Sequence, residues 1–217
     1  MTSAITEAPI GKREARKAER RAAIIAIANT HFLEQGYDRT SMSAIVEEMG
    51  GSKGTLWSYF ASKEELFAAV LDEATAAFRE TMLATLDPAG DLITVLTGLA
   101  EKFIVRISDP DAVALQRLII GEVERFPEIG RIFYDRAPAV SRVLLSTFLT
   151  GQMEAGVIEK GDAWEAAEMF FDLCAGGYHQ RILWGLDARD AATPNREAAR
   201  VIQQFLRCYP RTLASNS

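Results

Sequence analysis

The sequence predicts an all-α protein, with a small three-helix head at its N-terminus and a larger helical body behind it. Apolar residues recur every three or four positions along most of the chain, and no strand-length run alternates strictly between apolar and polar residues. Helix stop signals divide the early part of the chain at Gly36, at the pair Gly50–Gly51 and at the segment Asp87–Gly90. Together these patterns predict consecutive helices rather than a sheet.

The composition is that of a globular protein without a membrane span. The chain has 217 residues, of which 48% are hydrophobic and 25% are charged. It contains no run of about 18 apolar residues, and its charged start lacks the apolar segment of a secretory signal. The two cysteines, Cys174 and Cys208, are too few for a disulfide framework. We therefore expect a cytoplasmic protein with no membrane partner.

The first two helices are predicted from their apolar spacing and their caps. The first covers about residues 14–35 and stops at Gly36, because glycine readily adopts the left-handed conformation that ends a helix. The second follows an N-cap at Thr40 or Ser41, whose hydroxyl can accept a hydrogen bond from the first turn. It stops at Gly50–Gly51.

A tight glycine turn between the second and third helices predicts a helix-turn-helix. Ser52 caps the short third helix, and Ser62 caps a fourth helix that extends to about Leu86, with Glu65 placed as in a capping box. The turn leaves one face of the third helix exposed. That face combines hydroxyl, basic and aromatic groups that suit phosphate oxygens and base edges, namely Ser52, Lys53, Thr55, Trp57, Ser58 and Tyr59. An ordinary tight corner in a helical bundle is the alternative.

The charge distribution favours an anionic partner for the N-terminal end. Residues 1–63 hold nine Lys and Arg against seven Asp and Glu, although the whole chain has a net charge of −6. Six bases lie just before the core of the first helix and are expected to follow a DNA backbone or enter a minor groove, namely Lys12, Arg13, Arg16, Lys17, Arg20 and Arg21. A solubilising tail remains the alternative.

The segment "GYDRTSMSAIVEEMGGSKGTLWSYFASKEELFAAVL" resembles the N-terminal DNA-binding domain of the TetR family of transcriptional regulators. The resemblance covers about residues 20–72 and includes Gly36–Tyr37, Thr40–Ser41, the run from Ser52 to Trp57, and Ser62–Glu64. It implies a head at residues 12–73, a ligand-binding and dimerisation domain at residues 74–210, and binding to double-stranded operator DNA as a homodimer.

The resemblance also implies roles for single residues in the head. Phosphate contacts are expected from Thr40, Ser41, Ser43 and Lys63. Base contacts in the major groove are expected from Lys53, Gly54, Thr55 and Leu56, although Leu56 also fits a place in the core. Trp57 and Tyr59 are expected to contact the backbone or flanking bases, and Ser52 belongs to the same surface.

The rest of the chain is predicted to form five or six helices. They are expected at residues 91–108, 111–126, 127–155, 161–186 and 194–208. The segment "LQRLIIGEVERFPEIGRIFYDR" resembles the ligand-binding domain of a TetR subgroup whose members often control efflux or stress genes. This resemblance implies a small-molecule effector.

A set of apolar residues at helical spacing is expected to line the effector cavity, with one acid and one thiol among them. The set is Phe103, Ile107, Leu118, Glu122, Phe133, Phe148, Phe171, Cys174 and Tyr178. Arg106 and His179 are further candidates for selecting a polar end of an apolar or amphipathic ligand. Ordinary core packing is the alternative for every apolar member of the set.

Two apolar stripes near the C-terminus are expected to form a dimer surface. One is Trp164, Ala167, Phe171, Cys174, Tyr178, Ile182 and Gly185; the other is Ala198, Val201, Ile202 and Phe205. Gly176–Gly177 within the first stripe costs helix stability, which a close helix crossing would offset. The alternative is burial of both stripes within one chain.

The sequence carries no pattern typical of an enzyme. Its two histidines, His31 and His179, lack metal-ligand spacing, and no phosphate-binding loop or nucleophile motif is present. We therefore expect no catalytic residues, metal or cofactor. The predicted function is a transcriptional repressor released from its operator by a small ligand. The alternatives are an activator, a regulator without an inducer, or a helical adaptor whose helix-turn-helix is degenerate.

Overall fold

The computed structural model describes residues 11–50, 52–186 and 193–212. These residues form eleven helices and no strand, and their one extended pairing is an isolated antiparallel bridge between Ile158 and Arg211. The predicted all-α fold is confirmed. The helices are α1 (Lys12–Arg39), α2 (Met42–Met49), α3 (Lys53–Trp57), α4 (Lys63–Thr85), α5 (Leu92–Ile107), α6 (Pro110–Glu122), α7 (Pro127–Arg136), α8 (Pro138–Glu154), α9 (Ala163–Ala175), α10 (Tyr178–Leu183) and α11 (Thr193–Cys208).

The chain divides into two compact units, one that ends at Val70 and one that starts at Leu71. Helix α4 begins in the first unit and continues into the second. The boundary expected from the sequence, between residues 73 and 74, falls within the same helix. None of the helices that the structure describes is long and apolar enough to cross a membrane.

In the first unit, the head, capping residues and glycines set the helix ends close to the positions that the sequence predicts. Gly36 has φ 86° and ψ 170°, so it interrupts the helical geometry near the end of α1. Ser41 caps α2 by accepting a hydrogen bond from the Ala44 N–H. Gly50, at φ 64° and ψ 42°, ends α2 in the left-handed conformation, and its N–H donates to the carbonyl groups of the last turn.

Aromatic side chains hold α1 and α4 together inside the head. Phe32 stacks on Tyr37 with ring centroids 5.7 Å apart, and both rings meet Phe67 nearly edge-on, at 5.1 and 5.3 Å. Such arrangements contribute about 0.5–1.5 kcal/mol per pair beyond the burial of apolar area. All three side chains are almost fully buried, so they anchor the start of α4 to the first helix.

The second unit, the body, is built around one apolar core that draws on α4, α5, α6, α8, α9, α10 and α11. Helix α11 packs against α5 and α9 with its strongly apolar face inward. The chain beyond α11 then pairs with the loop that precedes α9, where the Glu159 N–H donates to the Pro210 carbonyl at 3.0 Å.

The single helix predicted for residues 127–155 is two helices, α7 and α8. Ala137 between them has φ −121° and ψ −76°, outside the helical region. The physical reason is Pro138, whose ring disfavours a helical conformation for the preceding residue and whose nitrogen has no hydrogen to donate. Proline is well tolerated in the first turn of α8, so the break costs that helix little.

The single helix predicted for residues 161–186 is also two helices, α9 and α10. The break falls at Gly176–Gly177, where Gly176 is extended and Gly177 has φ 50°. A positive φ strains any residue with a Cβ, so the glycines serve to break the helix rather than to bring two helices close. With both breaks, the described part of the body contains seven helices after α4 rather than five or six.

Both apolar stripes expected to form a dimer surface are largely buried within the chain itself. Ala167, Phe171 and Cys174 are 4% exposed or less, and Tyr178 and Ile182 are nearly as inaccessible. The stripe on α11 is likewise at most 5% exposed, at Ala198, Val201, Ile202 and Phe205. For these buried residues that expectation is wrong and the alternative of burial within one chain is correct, because they belong to the body core, whereas Trp164 and Gly185 are exposed and lie outside it.

Candidate nucleic-acid interface and ligand cavity

A local network of hydroxyl groups shapes the start of α3. Ser52 caps the helix, with its Oγ accepting from the Thr55 N–H at 3.2 Å and lying 2.9 Å from the Thr55 Oγ1. Ser58 donates its hydroxyl to the Thr55 carbonyl at 2.7 Å. These bonds orient three hydroxyl-bearing residues along the short helix, so that they form a polar surface of defined geometry.

Gly54 leaves open space on the surface of α3. Among the described atoms other than its chain neighbours and its own helix backbone, a Cβ placed there would have the Ser52 Oγ nearest, at 3.8 Å. The backbone of Gly54 is helical and the residue is exposed. The fold of the head therefore does not require glycine here, and glycine costs a helix about 1 kcal/mol relative to alanine. A partner that approaches the backbone closely would explain the choice.

The structure places the residues predicted to contact DNA at three levels of exposure. Ser41, Ser43, Ser52, Gly54 and Trp57 are exposed, whereas Thr55, Tyr59 and Lys63 are half-buried. Thr40 and Leu56 lie inside the head, at most 1% exposed. The described part of Lys53 is its backbone in the first turn of α3, and its side chain lies outside the description.

The two buried residues have internal roles in the head. The Thr40 hydroxyl donates to the Gly36 carbonyl at 2.8 Å, across the turn between α1 and α2. Leu56 is fully buried in the head core, which is the alternative that the sequence left open. In this conformation neither side chain reaches the surface that the other predicted residues form.

Lys63 is positioned at the start of α4 by residues of the turn after α1. Its Nζ donates to the Asp38 carbonyl at 3.2 Å and lies 4.3 Å from the centre of the Tyr37 ring. The Tyr37 hydroxyl donates to the Glu64 carboxylate at 3.2 Å. A hydrogen bond from Ser62 is the main cause that holds the pKa of Glu64 below its ordinary value.

The basic residues at the N-terminal end form a helical surface rather than an extended arm. Helix α1 starts at Lys12, and the four exposed bases of its first turns are Lys12, Arg13, Arg16 and Lys17. Arg20 donates to the Met49 carbonyl at 3.4 Å, and the Arg21 guanidinium lies 5.1 Å from the Phe60 ring centre. The last two bases therefore help to hold the head together.

The body contains a cavity of about 450 Å³, lined by residues of α4 to α10. Four of the nine predicted ligand residues line it, namely Phe103, Ile107, Phe133 and Phe171. The other five are not among its described lining residues, namely Leu118, Glu122, Phe148, Cys174 and Tyr178. Burial of Cys174 raises the pKa of its thiol, which suits a packed apolar group.

Helix α4 supplies cavity residues that the sequence analysis did not predict. Thr75, Phe78, Arg79 and Met82 all line the cavity, spaced so that they share one face of the helix. Phe78 lies 5.7 Å from Phe103, ring centre to ring centre. The apolar spacing of Phe78 and Met82 was visible in the sequence, but nothing there indicated that this face would border a cavity.

Polar side chains interrupt the apolar cavity lining. Arg106 donates to the Ala74 carbonyl of α4 at 2.8 Å. His179 on α10 faces Gln116 on α6, with 3.0 Å between the His179 Nε2 and the Gln116 Oε1. Burial lowers the pKa of His179, so its ring is neutral near pH 7. The cavity therefore offers both aromatic and hydrogen-bonding groups.

The head is a short helix-turn-helix unit whose third helix has a polar and partly aromatic surface, and it is joined to a helical body that contains a cavity. This combination defines a DNA-binding regulator. Family models match both parts. The model described as bacterial regulatory proteins of the tetR family matches residues 24–70. The model described as the C-terminal domain of AefR-like transcriptional repressors matches residues 94–211, more than half of the chain. The chain belongs to the TetR family of transcriptional regulators.

Individual relatives agree with this assignment. A structure of a TetR-family regulator from Mesorhizobium loti has a TM-score of 0.77 and 28% identity, covering 89% of this chain and 98% of that one. The flavonoid-responsive regulator FrrA has a TM-score of 0.75 and 31% identity, covering 88% and 97%. The DNA-binding transcriptional repressor TetR of Mycobacteroides abscessus is 34% identical over 41% of this chain. That match spans only 46% of the relative's length.

Proposed function

We propose that the protein is a homodimeric repressor that binds a palindromic operator and is released by a small aromatic ligand in the body cavity. The observation that carries the proposal is the dual position of α4. This helix starts with Lys63 in the head and contributes Phe78 and Met82 to the cavity lining. A ligand that displaces one end of α4 therefore acts on a helix that also belongs to the DNA-binding head.

On the DNA side, the structure supports a division of labour between residues. Lys63 presents an ammonium group at the start of α4, where it binds a phosphate without reading sequence. Thr55 and Gly54 lie on α3, which enters the major groove in helix-turn-helix proteins and reads base edges there. Trp57 is 49% exposed, and its indole N–H donates to a phosphate oxygen.

On the ligand side, the cavity has the size and surface of a small-molecule site. Its volume of about 450 Å³ lies within the range of about 300–1,000 Å³ that ligand pockets usually have. Phe103 lies 4.7 Å from Phe171, ring centre to ring centre, so adjacent aromatic rings form part of the lining. The relative FrrA is described as flavonoid-responsive. An aromatic compound of flavonoid size is accordingly the class of effector that we propose.

The two sites are coupled through the spacing that DNA imposes. The two recognition helices of a dimer must lie about 34–36 Å apart to enter successive major grooves. A ligand that shifts α4 changes this spacing and lowers operator affinity. A coupling free energy of about 1–3 kcal/mol reduces the affinity about 5- to 150-fold, and operator DNA weakens ligand binding by the same factor.

Reciprocal titration tests this proposal. The operator is first selected from random DNA with the purified protein, and naringenin, a flavonoid, is then titrated calorimetrically into the protein with and without that operator. Naringenin should bind more weakly, by about 5- to 150-fold, when the operator is present. Equal affinity in the two titrations would exclude release by this ligand, however tightly it binds.

A matched pair of substitutions locates the coupled site. Ala175 lines the cavity, whereas Ala77 on α4 is exposed and does not line it. Ala175→Phe should fill part of the cavity and abolish release by naringenin while operator binding persists. Ala77→Phe should remain inducible. Loss of release in both variants, or in neither, would show that the described cavity is not the effector site.

A further inference from the structure

We propose that His179 selects the effector by accepting a hydrogen bond at its Nδ1, so that the effector is an aromatic compound that presents a hydroxyl group to this nitrogen. The inference rests on the proposed function, because it assumes that the cavity binds the effector. It goes further in naming one recognition atom and the polarity of the hydrogen bond that the ligand must supply.

Contact with Gln116 determines which ring nitrogen of His179 carries the proton. The His179 Nε2 lies 3.0 Å from the Gln116 Oε1. With the Gln116 amide oriented so that its oxygen faces the ring, this oxygen accepts, and Nε2 donates and carries the proton. Because burial keeps the ring neutral, Nδ1 is left with a lone pair and no hydrogen. Nδ1 is consequently an acceptor.

That acceptor is buried and has no partner within the described protein. His179 is only 4% exposed, and its Nδ1 makes no hydrogen bond to any residue that the structure describes. His179 is also one of the residues that line the cavity. A buried acceptor without a donor is costly, and a ligand that supplies the donor removes that cost. Nδ1 itself is covered in the structure without a ligand, so a donor on the bound molecule reaches it when the His179 ring turns towards the cavity.

Charge in the cavity lining restricts the kind of donor. Among the described lining residues, the charged ones are Arg79, Arg106, Arg136, Arg142 and Asp172. The excess of arginine disfavours an ammonium group as the donor, because like charges repel in a partly desolvated site. A carboxylate suits arginine but carries no hydrogen and leaves Nδ1 unpaired. A hydroxyl on an aromatic ring supplies the donor without adding a positive charge.

The remaining surface of the cavity accounts for the aromatic part of the ligand. Phe78, Phe103 and Phe171 form a continuous row of neighbouring rings, with centroid separations of 5.7 and 4.7 Å. Aromatic ligands gain both apolar burial and ring contacts against such a row. Phenols combine this apolar body with one donor group, which is the combination that the row and His179 require.

The first measurement compares naringenin with its fully O-methylated ether, which keeps the ring system and has no hydroxyl to donate. Wild-type protein should bind naringenin more tightly than the ether, and the part of this preference that depends on His179 should be about three- to tenfold, the worth of one net hydrogen bond. Two substitutions of His179 distinguish the contribution of Nδ1 to ligand binding from that of Nε2. His179→Asn keeps an amide group near the Nδ1 position, whereas His179→Gln reaches the Nε2 position and leaves no acceptor at Nδ1.

We expect His179→Asn to keep most of the preference for naringenin and His179→Gln to lose it. His31 provides the matched control because its ring already has partners at both nitrogens, with Glu48 at 2.7 Å and Gln35 at 3.1 Å. His31→Gln should bind both compounds as the wild type does. Thermal unfolding checks that each variant is folded.

A second measurement needs no variant at His179. The chain has only two histidines, so the imidazole ¹⁵N spectrum contains two rings, and His31→Gln assigns them. Naringenin should shift the Nδ1 signal of His179 as that nitrogen accepts a hydrogen bond, and the ether should not. An unchanged Nδ1 signal with bound naringenin, or equal affinity of the wild type for both compounds, overturns the inference about His179. Neither result contradicts the proposed release from the operator by a ligand. Failure of both compounds to bind overturns the proposed function as well.

Discussion

Gly54 on α3 is a position where we expect DNA binding and stability to make opposite demands. Gly54 has room for a Cβ, so Gly54→Ala should stabilise the folded protein by up to about 1 kcal/mol. The added methyl group would stand between α3 and the groove, so operator affinity should fall about tenfold, the size of a lost base contact. Urea unfolding and operator titration measure the two effects.

The matched control for this substitution is Gly121 on α6, where an added Cβ would lie more than 4 Å from the described atoms outside its own helix backbone. Gly121→Ala should give a similar gain in stability and leave operator affinity as it is in the wild type. If Gly54→Ala bound the operator as tightly as Gly121→Ala, close approach of DNA to α3 would not be the reason for the glycine.

A buried neutral histidine makes stability depend on pH. Burial lowers the pKa of His179 in the folded protein, whereas the unfolded chain regains the ordinary value of 6.5. Below that pH the unfolded state binds a proton that the folded state does not, so the free energy of unfolding falls as the pH falls. Urea unfolding between about pH 7.5 and 5.5 should show a smaller loss in His179→Asn than in the wild type. Equal losses would contradict the neutral buried ring.

At the scale of the helix, the start of α4 depends on its cap. The Ser62 Oγ accepts from the Glu65 N–H at 3.1 Å, and the Glu65 carboxylate accepts from the Ala61 N–H at 2.7 Å. The predicted capping box is thus present, with its return bond one residue earlier than usual. Ser62→Ala should lower the free energy of unfolding by about 1 kcal/mol.

Ser146 offers a matched position without a capping role. It lies inside α8, where its hydroxyl donates to the Val143 carbonyl three residues earlier. Because alanine is the better helix former, Ser146→Ala should be neutral or slightly stabilising. Equal stability of the two variants in urea would show that Ser62 does not cap α4. Ser62→Ala should also weaken operator binding, because Lys63 is the next residue along the chain.

The short helix α10 positions one polar residue of the cavity lining, His179. Helix α10 is six residues long and lies between Gly177, at φ 50°, and Gly185, at φ 74°. Arg117 of α6 donates to the carbonyl groups of Ile182 and Leu183, at 2.8 and 2.9 Å. These bonds satisfy the C-terminal end of α10 and hold His179 next to α6, where Gln116 determines its tautomer.

At the scale of the whole molecule, the proposed dimer imposes a spacing on the operator that we propose. Inserting about 5 base pairs between the half-sites turns one of them to the opposite face of the duplex. Affinity should then fall towards the non-specific level, about 10³-fold or more. Substituting the same number of central base pairs without changing the length is the control, and it should cost far less. Equal affinity for both operators would indicate that the chains bind half-sites independently.

Local signals account for the parts of the fold that the sequence predicted correctly. Caps at Ser41, Ser52 and Ser62 and the stop at Gly36 act between residues at most four apart, so they can be read along the chain. The same locality explains why the order of the head helices was predictable.

The errors arose where a second local effect or a distant contact decided the outcome. Pro138 and Gly177 broke helices that apolar spacing alone would continue, because spacing reports burial and not backbone geometry. Phe103 and Phe148 have the same apolar character, yet only Phe103 lines the cavity among the described residues. That difference depends on which helices pack together.

The sequence by itself determined that this protein is all-helical, that its head is a capped helix-turn-helix and that its α3 surface is polar. Only the tertiary structure decided that Thr40 and Leu56 are internal, that the C-terminal stripes form the body core, and that a cavity lies beside α4. His179 and Gln116 are 63 residues apart in the chain and meet only when α10 folds onto α6. Caps and turns are short-range interactions, whereas a cavity is defined by side chains from many helices at once, and no short stretch of sequence contains that information.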